Sequence, residues 1–231
     1  MNLFDHPYHA LVFGASGAIG SAFVQALQND SQCAQVQAVS RATHPQFDLE
    51  QPEQLHTLIE SMRAHAPYSV IIDATGALTL GGVGPEKSLA ALRPDQLARS
   101  MQVNAIGPLL LLRECAPLLA SGNVIYAKLS ARVGSISDNQ LGGWYGYRAA
   151  KAALNMYLQT AAIELQRKNP QLRVVALQPG TVQSALSKPF ATPSHTIAAD
   201  VSVAGMLSAL QQAPVVRGAS FFDYQGQAIT W

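Results

Sequence analysis

The sequence predicts one doubly wound α/β domain over residues 1–231, with about seven parallel strands and helices on both faces. Three observations carry that expectation. Short apolar runs of strand length alternate with segments of helical periodicity along the whole chain. The first run passes directly into a glycine-rich turn and then a helix pattern. A length of 231 residues suits one large core and is short for two.

Ala10–Phe13 reads as a buried strand, followed by GASGAIG at 14–20 and the helical pattern SAFVQALQ. Glycines in that context let the backbone turn tightly and approach a pyrophosphate, whose charge the free amides of the helix start attract. Gly14, Ser16, Gly17, Ala18, Ile19 and Gly20 are therefore candidate cofactor contacts, the alternative being a plain tight connection. No Lys-Ser/Thr pair follows the glycines, which argues against an ATPase-type phosphate loop.

The second strand, Val36–Val39, runs into Ser40 and Arg41. Many NAD-binding folds place an acidic residue near this point to hold the adenosine ribose. A guanidinium suits a 2′-phosphate instead, because its planar fork donates two charge-assisted hydrogen bonds. Arg41 thus predicts NADP over NAD, unless it is simply a solvated loop arginine.

Phe47-Asp48-Leu49 reads as the end of a third strand, and Asp48 either borders an adenine pocket or caps the helix predicted over Gln51–His65. Val70–Ile72 is a fourth strand, ending in Asp73 and the small residues Ala74, Thr75 and Gly76, which would let backbone approach a cofactor. Residues 78–85 form a glycine-rich loop. A helix over MQVNAIGPLLLL carries Asn104, and a fifth strand ends before Ser130.

GGWYGYRAAKAAL, Gly142 to Leu154, sets Tyr147 and Lys151 four residues apart on one helical face. Ionising a phenol at neutral pH costs about 4 kcal/mol. A cation about 4 Å away contributes a similar amount at an effective dielectric near about 20, so one lysine is the right size of perturbation. Tyr145 and Tyr157 lie off that face. Leu172–Leu177 gives a sixth strand, Pro179-Gly180 turns the chain out of the sheet, and the Ser/Pro/Thr-rich stretch 185–196 is a candidate lid, with Trp144, Phe190 and His195 as pocket walls. A helix over Ala198–Gln211 and a strand over Ala219–Phe222 close the pattern.

Charged residues make up only 13% of the chain and hydrophobic residues 48%. About a quarter charged is usual, so part of the surface should be covered by another copy. The net charge of +1, with scattered basic residues, offers no footprint for nucleic acid or an anionic membrane. No apolar run reaches the roughly 18 residues of a membrane span, and MNLFDHPYHA lacks the features of a secretion signal, so a cytoplasmic location is expected. Two cysteines without CxxC and six histidines without HExxH point to no disulfide and no metal.

Taken together, GASGAIG, DATG at 73–76, Asn104, Ser130, Tyr147-x-x-x-Lys151 and Pro179-Gly180-Thr-Val-x-Ser184 resemble the short-chain dehydrogenase/reductase family over essentially the whole chain. GGWYGYRAAKAALN and SFFDYQGQAITW look most like its C-factor and carbonyl-reductase-like subgroup. The resemblance implies a Rossmann-type domain that transfers hydride between NADP(H) and a small carbonyl or alcohol. By the same resemblance Tyr147 exchanges the proton, Lys151 holds the nicotinamide ribose and lowers the tyrosine pKa, and Asn104 supports a water relay. Pro179, Gly180 and Val182 would meet the nicotinamide. A homodimer or homotetramer through the alanine-rich catalytic helix is also implied. Three departures stand out. Ala18 replaces a glycine, and Asp73 stands where asparagine is usual. At the serine position a gapless register puts Ala131 where the second, catalytic serine belongs, leaving Ser130, Ser135 or a lost donor, with Ser130 preferred. The rival reading is a non-catalytic NADP-binding signalling protein of the C-factor type.

Overall fold

The computed structural model describes residues 2–184, 187–190 and 196–231. Six strands form one parallel sheet: β1 (Tyr8–Phe13), β2 (Cys33–Val39), β3 (Val70–Asp73), β4 (Val124–Leu129), β5 (Leu172–Gln178) and β6 (Ala219–Asp223), in the order β2-β1-β3-β4-β5-β6. The strands are rich in Val, Ile, Leu and aromatic residues and, from β3 to β5, are buried at nearly every position, as parallel strands covered on both faces must be.

Among the described residues six α-helices cover the sheet: α1 (Ala18–Gln28), α2 (Leu55–Met62), α3 (Pro94–Met101), α4 (Gly107–Cys115), α5 (Tyr145–Leu165) and α6 (Ala199–Gln212). Phe23 and Leu27 of α1 and Met206 and Leu210 of α6 pack on one face with Val12, Ile72 and Leu177. On the other face Leu58 and Ile59 of α2, Leu111 of α4 and Leu154 and Leu158 of α5 enclose Leu11, Ile71 and Tyr126. Each such fully buried side chain contributes about 1.5–3 kcal/mol, so both layers are needed to hold the sheet flat against its helices.

The expected seventh strand is absent among the described residues. Phe47-Asp48-Leu49 is a succession of turns, with Phe47 N donating to His44 O at 2.9 Å and Asp48 N to Gln46 O at 3.0 Å. The alternation that mimics a strand has another cause. Phe47 and Leu49 both insert into the core, the Phe47 ring 5.5 Å from that of Phe13, while Asp48 between them is only partly buried. The helix read over Gln51–His65 is α2 with a 3₁₀ turn at each end, Pro52–Gln54 and Arg63–His65. The helix read over MQVNAIGPLLLL is interrupted by a π turn, Gln102–Ile106, joining α3 to α4.

The chain order reverses between β1, which leads outward to β2, and β3, which starts the opposite half of the sheet. Ligands of open parallel sheets lie beyond the carboxyl ends of the strands at such a switch point. Gly14, Ser40, Ala74, Ser130 and Pro179 all sit there.

Candidate active site

Gly14 follows β1 with φ +74°, and a Cβ on it would lie 2.9 Å from Ala74 O. Only glycine lets the turn pass this close to the strand-β3 exit. Gly17 precedes α1, whose first turn holds no acidic side chain, so its free amides and positive end face the groove uncompensated.

Two cavities adjoin along the carboxyl edge of the sheet. The first, about 350 Å³, is bordered by Gly14, Ser16 and Gly17 and, farther out, by Ser40, Arg41 and Asp48. The second, about 550 Å³, is bordered by Ile19, Ser130, Tyr147, Lys151 and the Pro179–Val182 turn. Ala74, Thr75 and Gly76 line both. Ala18 and Gly20 border neither; they lie inside the start of α1. Arg41 is exposed and has no ion pair among the described residues, whereas the Ser40 hydroxyl is 3.2 Å from Thr43 Oγ1 within its own turn. Asp48 accepts from Glu50 N at 2.9 Å and does not cap the following helix, whose N-cap is Gln51.

At the second cavity α5 presents Tyr147 and Lys151 one turn apart. Its N-terminus is tied down from outside: Gly146 N donates to Glu86 Oε2 at 3.0 Å and Trp144 N to Glu86 O at 2.5 Å, with Trp144 left-handed at φ +53°. Glu86 thus supplies the negative charge that a helix start favours and that α5 lacks in its own first turn. The Trp144 ring meets the edge of Tyr147 at 6.3 Å between centroids and that of Phe190 at 5.6 Å, making an aromatic wall. His195 lies outside the described residues, as do 185, 186 and 191–194 of the expected lid.

Lys151 is buried, with Nζ donating to Leu129 O at 3.0 Å and standing 5.6 Å from the centre of the Tyr147 ring. Burial pushes the Tyr147 phenol up to about 12. The ammonium lies over the ring of Tyr147. Burial and the Lys128 charge hold the Lys151 ammonium well below the usual lysine value, against the opposing pull of Asp73. Asn104 is buried in the π turn, where Oδ1 accepts from Ala77 N and Nδ2 donates to Ala77 O, both at 2.9 Å. A Cβ on Gly76 would lie 3.4 Å from Asn104 Oδ1 and 3.5 Å from Lys151 Nζ, so these groups converge behind the shared wall.

The two serines separate. Ser130 borders the cavity and donates to Asn155 Oδ1 at 2.6 Å. Ser135 is outside the lining and accepts from Asp138 N at 3.1 Å. Sequence reasoning passed over Lys128 and Glu86. A lysine inside the apolar strand VIYAKL was a visible signal for the first; nothing local marks the second, which is recruited from a distant loop.

The profile described as short chain dehydrogenase matches residues 8–194. C-signal of Myxococcus xanthus is 36% identical over 136 residues, 58% of this chain and 78% of that one. The 1-hydroxy-2-glutathionyl-2-methyl-3-butene dehydrogenase of Rhodococcus sp. (strain AD45) is 26% identical over 199 residues, 86% and 84% of the two chains. Among solved structures, the NADPH-bound carbonyl reductase from chicken fatty liver superposes with a TM-score of 0.84 at 23% identity, covering 98% of this chain and 100% of its own. The carbonyl reductase Sniffer of D. melanogaster gives 0.82 at 19% identity with the same coverage. No helix among the described residues is long and apolar enough to cross a membrane. With a profile match over most of its length, an all-parallel sheet and a groove at the switch point, the chain belongs to the short-chain dehydrogenase family and is an oxidoreductase acting on carbonyl or alcohol groups.

Proposed function

We propose that the protein reduces a small-molecule carbonyl with NADPH, or oxidises the matching alcohol, with Tyr147 as the general acid and base. The observation that carries this reading is the facing of Tyr147 and Lys151 from one turn of α5 into a cavity that shares its wall with a second one bearing Arg41. A dinucleotide fits this pair of spaces. The glycine turn leaves backbone room for a pyrophosphate, the α1 amides face it, and Arg41 offers an unpaired guanidinium where a 2′-phosphate would lie. The chicken carbonyl reductase binds NADPH, and a short chain dehydrogenase from Burkholderia cenocepacia J2315, of TM-score 0.75 and 21% identity, is in complex with NADP.

When bound, NADPH supplies the hydride. Charge then grows on the carbonyl oxygen, and this chain must meet it with a proton and a hydrogen-bond donor. Tyr147, protonated at neutral pH, is set to give that proton. Lys151 holds the ribose side and stabilises the phenolate that remains. Asn104, behind Gly76, supports the path by which the proton is replaced. Of the two serines, Ser130 is the better placed to orient the substrate, by turning its hydroxyl from Asn155 into the cavity. Trp144 and Phe190 favour a substrate with a flat or apolar flank.

The test is a panel of aldehydes, ketones and quinones with NADPH, followed by loss of absorbance at about 340 nm; no turnover of any of them would refute this reading. Likeness to C-signal does not by itself favour the non-catalytic reading, because a sensor has no use for a Tyr–Lys pair facing a cavity. Arg41→Ala should raise KM for NADPH by about 10- to 100-fold, the worth of a charge-assisted contact, with little change for NADH. Equal effects on both nucleotides would refute the 2′-phosphate assignment.

We further propose a cytoplasmic homodimer or homotetramer. On α5 the outward residues include Met156, 64% exposed, beside Tyr145 and Ala149, and a second copy would cover them. Light scattering should give a mass of two or four chains, and a monomer would refute this.

A further inference from the structure

Lys128 is the single charge in β4, and none of it is exposed. Its partner in the ladder is Asp73, the last residue of β3 and equally buried. Lys128 Nζ lies 3.0 Å from Asp73 Oδ1, 2.7 Å from Thr75 O and 2.9 Å from Thr75 Oγ1. Thr75 N and Oγ1 donate to the same Asp73 oxygen at 2.9 and 2.5 Å. The pair therefore fixes the backbone of the wall that both cavities share.

The other Asp73 oxygen, Oδ2, is buried without a hydrogen-bond partner. A bare carboxylate oxygen in a dry interior attracts any mobile donor within reach, since leaving it unpaired costs about 1–3 kcal/mol or more. Lys151 is a donor behind the same wall, its Nζ 3.5 Å from where a Cβ on Gly76 would stand. Its ammonium is bonded to Leu129 O, the residue after Lys128, and feels Asp73 and Lys128 with opposite signs. The charged or titratable groups that face it are thus Asp73 and Lys128 from the sheet and Tyr147 from α5. Cys115 of α4 and Tyr126 of β4 also feel Asp73, and burial pushes both well up, which keeps them neutral.

We propose that Lys128 is a positioning residue of this site: by pairing with Asp73 Oδ1 from β4 it neutralises that carboxylate and weakens its pull on the Lys151 ammonium, so that Lys151 stays turned toward Tyr147 and the groove. The inference rests on the roles of Tyr147 and Lys151 given under Proposed function.

The test uses Lys128→Met, Asp73→Asn/Lys128→Met and Tyr147→Phe in the full chain, with 4-nitrobenzaldehyde as probe. Two quantities are read: NADPH affinity from nicotinamide fluorescence, and the alkaline limb of kcat/KM for reduction, where the acid loses its proton. In Lys128→Met, Lys151 swings to Asp73. NADPH affinity should fall about tenfold, and the limb should move up by about one pH unit as the phenolate loses its cation. The double variant removes the competitor too, so both should return to within about threefold of wild type. A double variant as impaired as the single one would mean that Lys128 merely fills space, and would overturn the inference, as would a Lys128→Met protein with wild-type affinity and limb. Should Lys128→Met fail to fold, the double variant decides: wild-type affinity and limb support the proposal, and loss of either refutes it. Full turnover in Tyr147→Phe would instead overturn the function on which the inference rests. An inactive Tyr147→Phe beside an unmoved Lys128→Met would overturn the inference alone.

Discussion

Tyr147→Phe should lower kcat/KM for NADPH-dependent carbonyl reduction by about a thousandfold, within the range for losing a general acid. The change removes one oxygen from a ring that packs on Trp144, so the wall survives and NADPH affinity should stay within about twofold. Because burial holds the phenol at about 12 before cofactor and substrate arrive, the wild-type protein carries the acidic form throughout the neutral range. Its reduction rate should be flat there and fall only at alkaline pH. Stopped-flow turnover with and without excess carbonyl separates the chemical step from binding. A variant with a raised KM and an unchanged kcat would show that Tyr147 only binds substrate.

Gly20→Ala should be the most damaging change to the nucleotide half of the site. An added Cβ would stand 2.1 Å from Gly14 O and 2.7 Å from Gly14 C, both backbone atoms that no rotamer change can move. The Gly14–Ala15 turn must shift away from α1, at about 2–3 kcal/mol for overpacking. For a chain of this size that corresponds to roughly 5–10 °C in Tm. The displaced turn should also weaken NADPH binding more than tenfold, since the amides that meet the pyrophosphate move with it. Gly17→Ala is the natural control, because its methyl would lie at an ordinary 3.4 Å from Gly14 O. Equal losses in both variants would mean that the turn tolerates no methyl anywhere, and the close approach at Gly20 would not be the cause.

What could be read from residues alone was whatever depends on local pattern. Buried strands such as Val70–Asp73 announce themselves as apolar runs, and the turn after β1 by its glycines. Tyr147 and Lys151 were legible because helical spacing converts a sequence interval of four into a shared face. Phe47–Leu49 was misread since burial of alternate residues looks the same whether a ladder or a set of turns delivers it. Glu86 escaped because its role depends on a loop folding back onto α5 from 60 positions away. Lys128 and Asp73 were each visible but not as a pair: their adjacency follows from strand order, which composition and periodicity do not encode. The serine choice was open for a similar reason, as the side-chain directions of Ser130 and Ser135 depend on the turn beyond β4.

Ala74, Thr75 and Gly76 form a partition common to both chambers, braced from below by a buried salt link. A mutation in that partition therefore alters nucleotide grip and chemical turnover in the same stroke. Variants that broaden the range of acceptable carbonyls should accumulate on the opposite wall, around Trp144 and Phe190. Those that switch the nucleotide should gather near Arg41. The two traits are then free to diverge among descendants of this chain, while the barrier between them stays fixed.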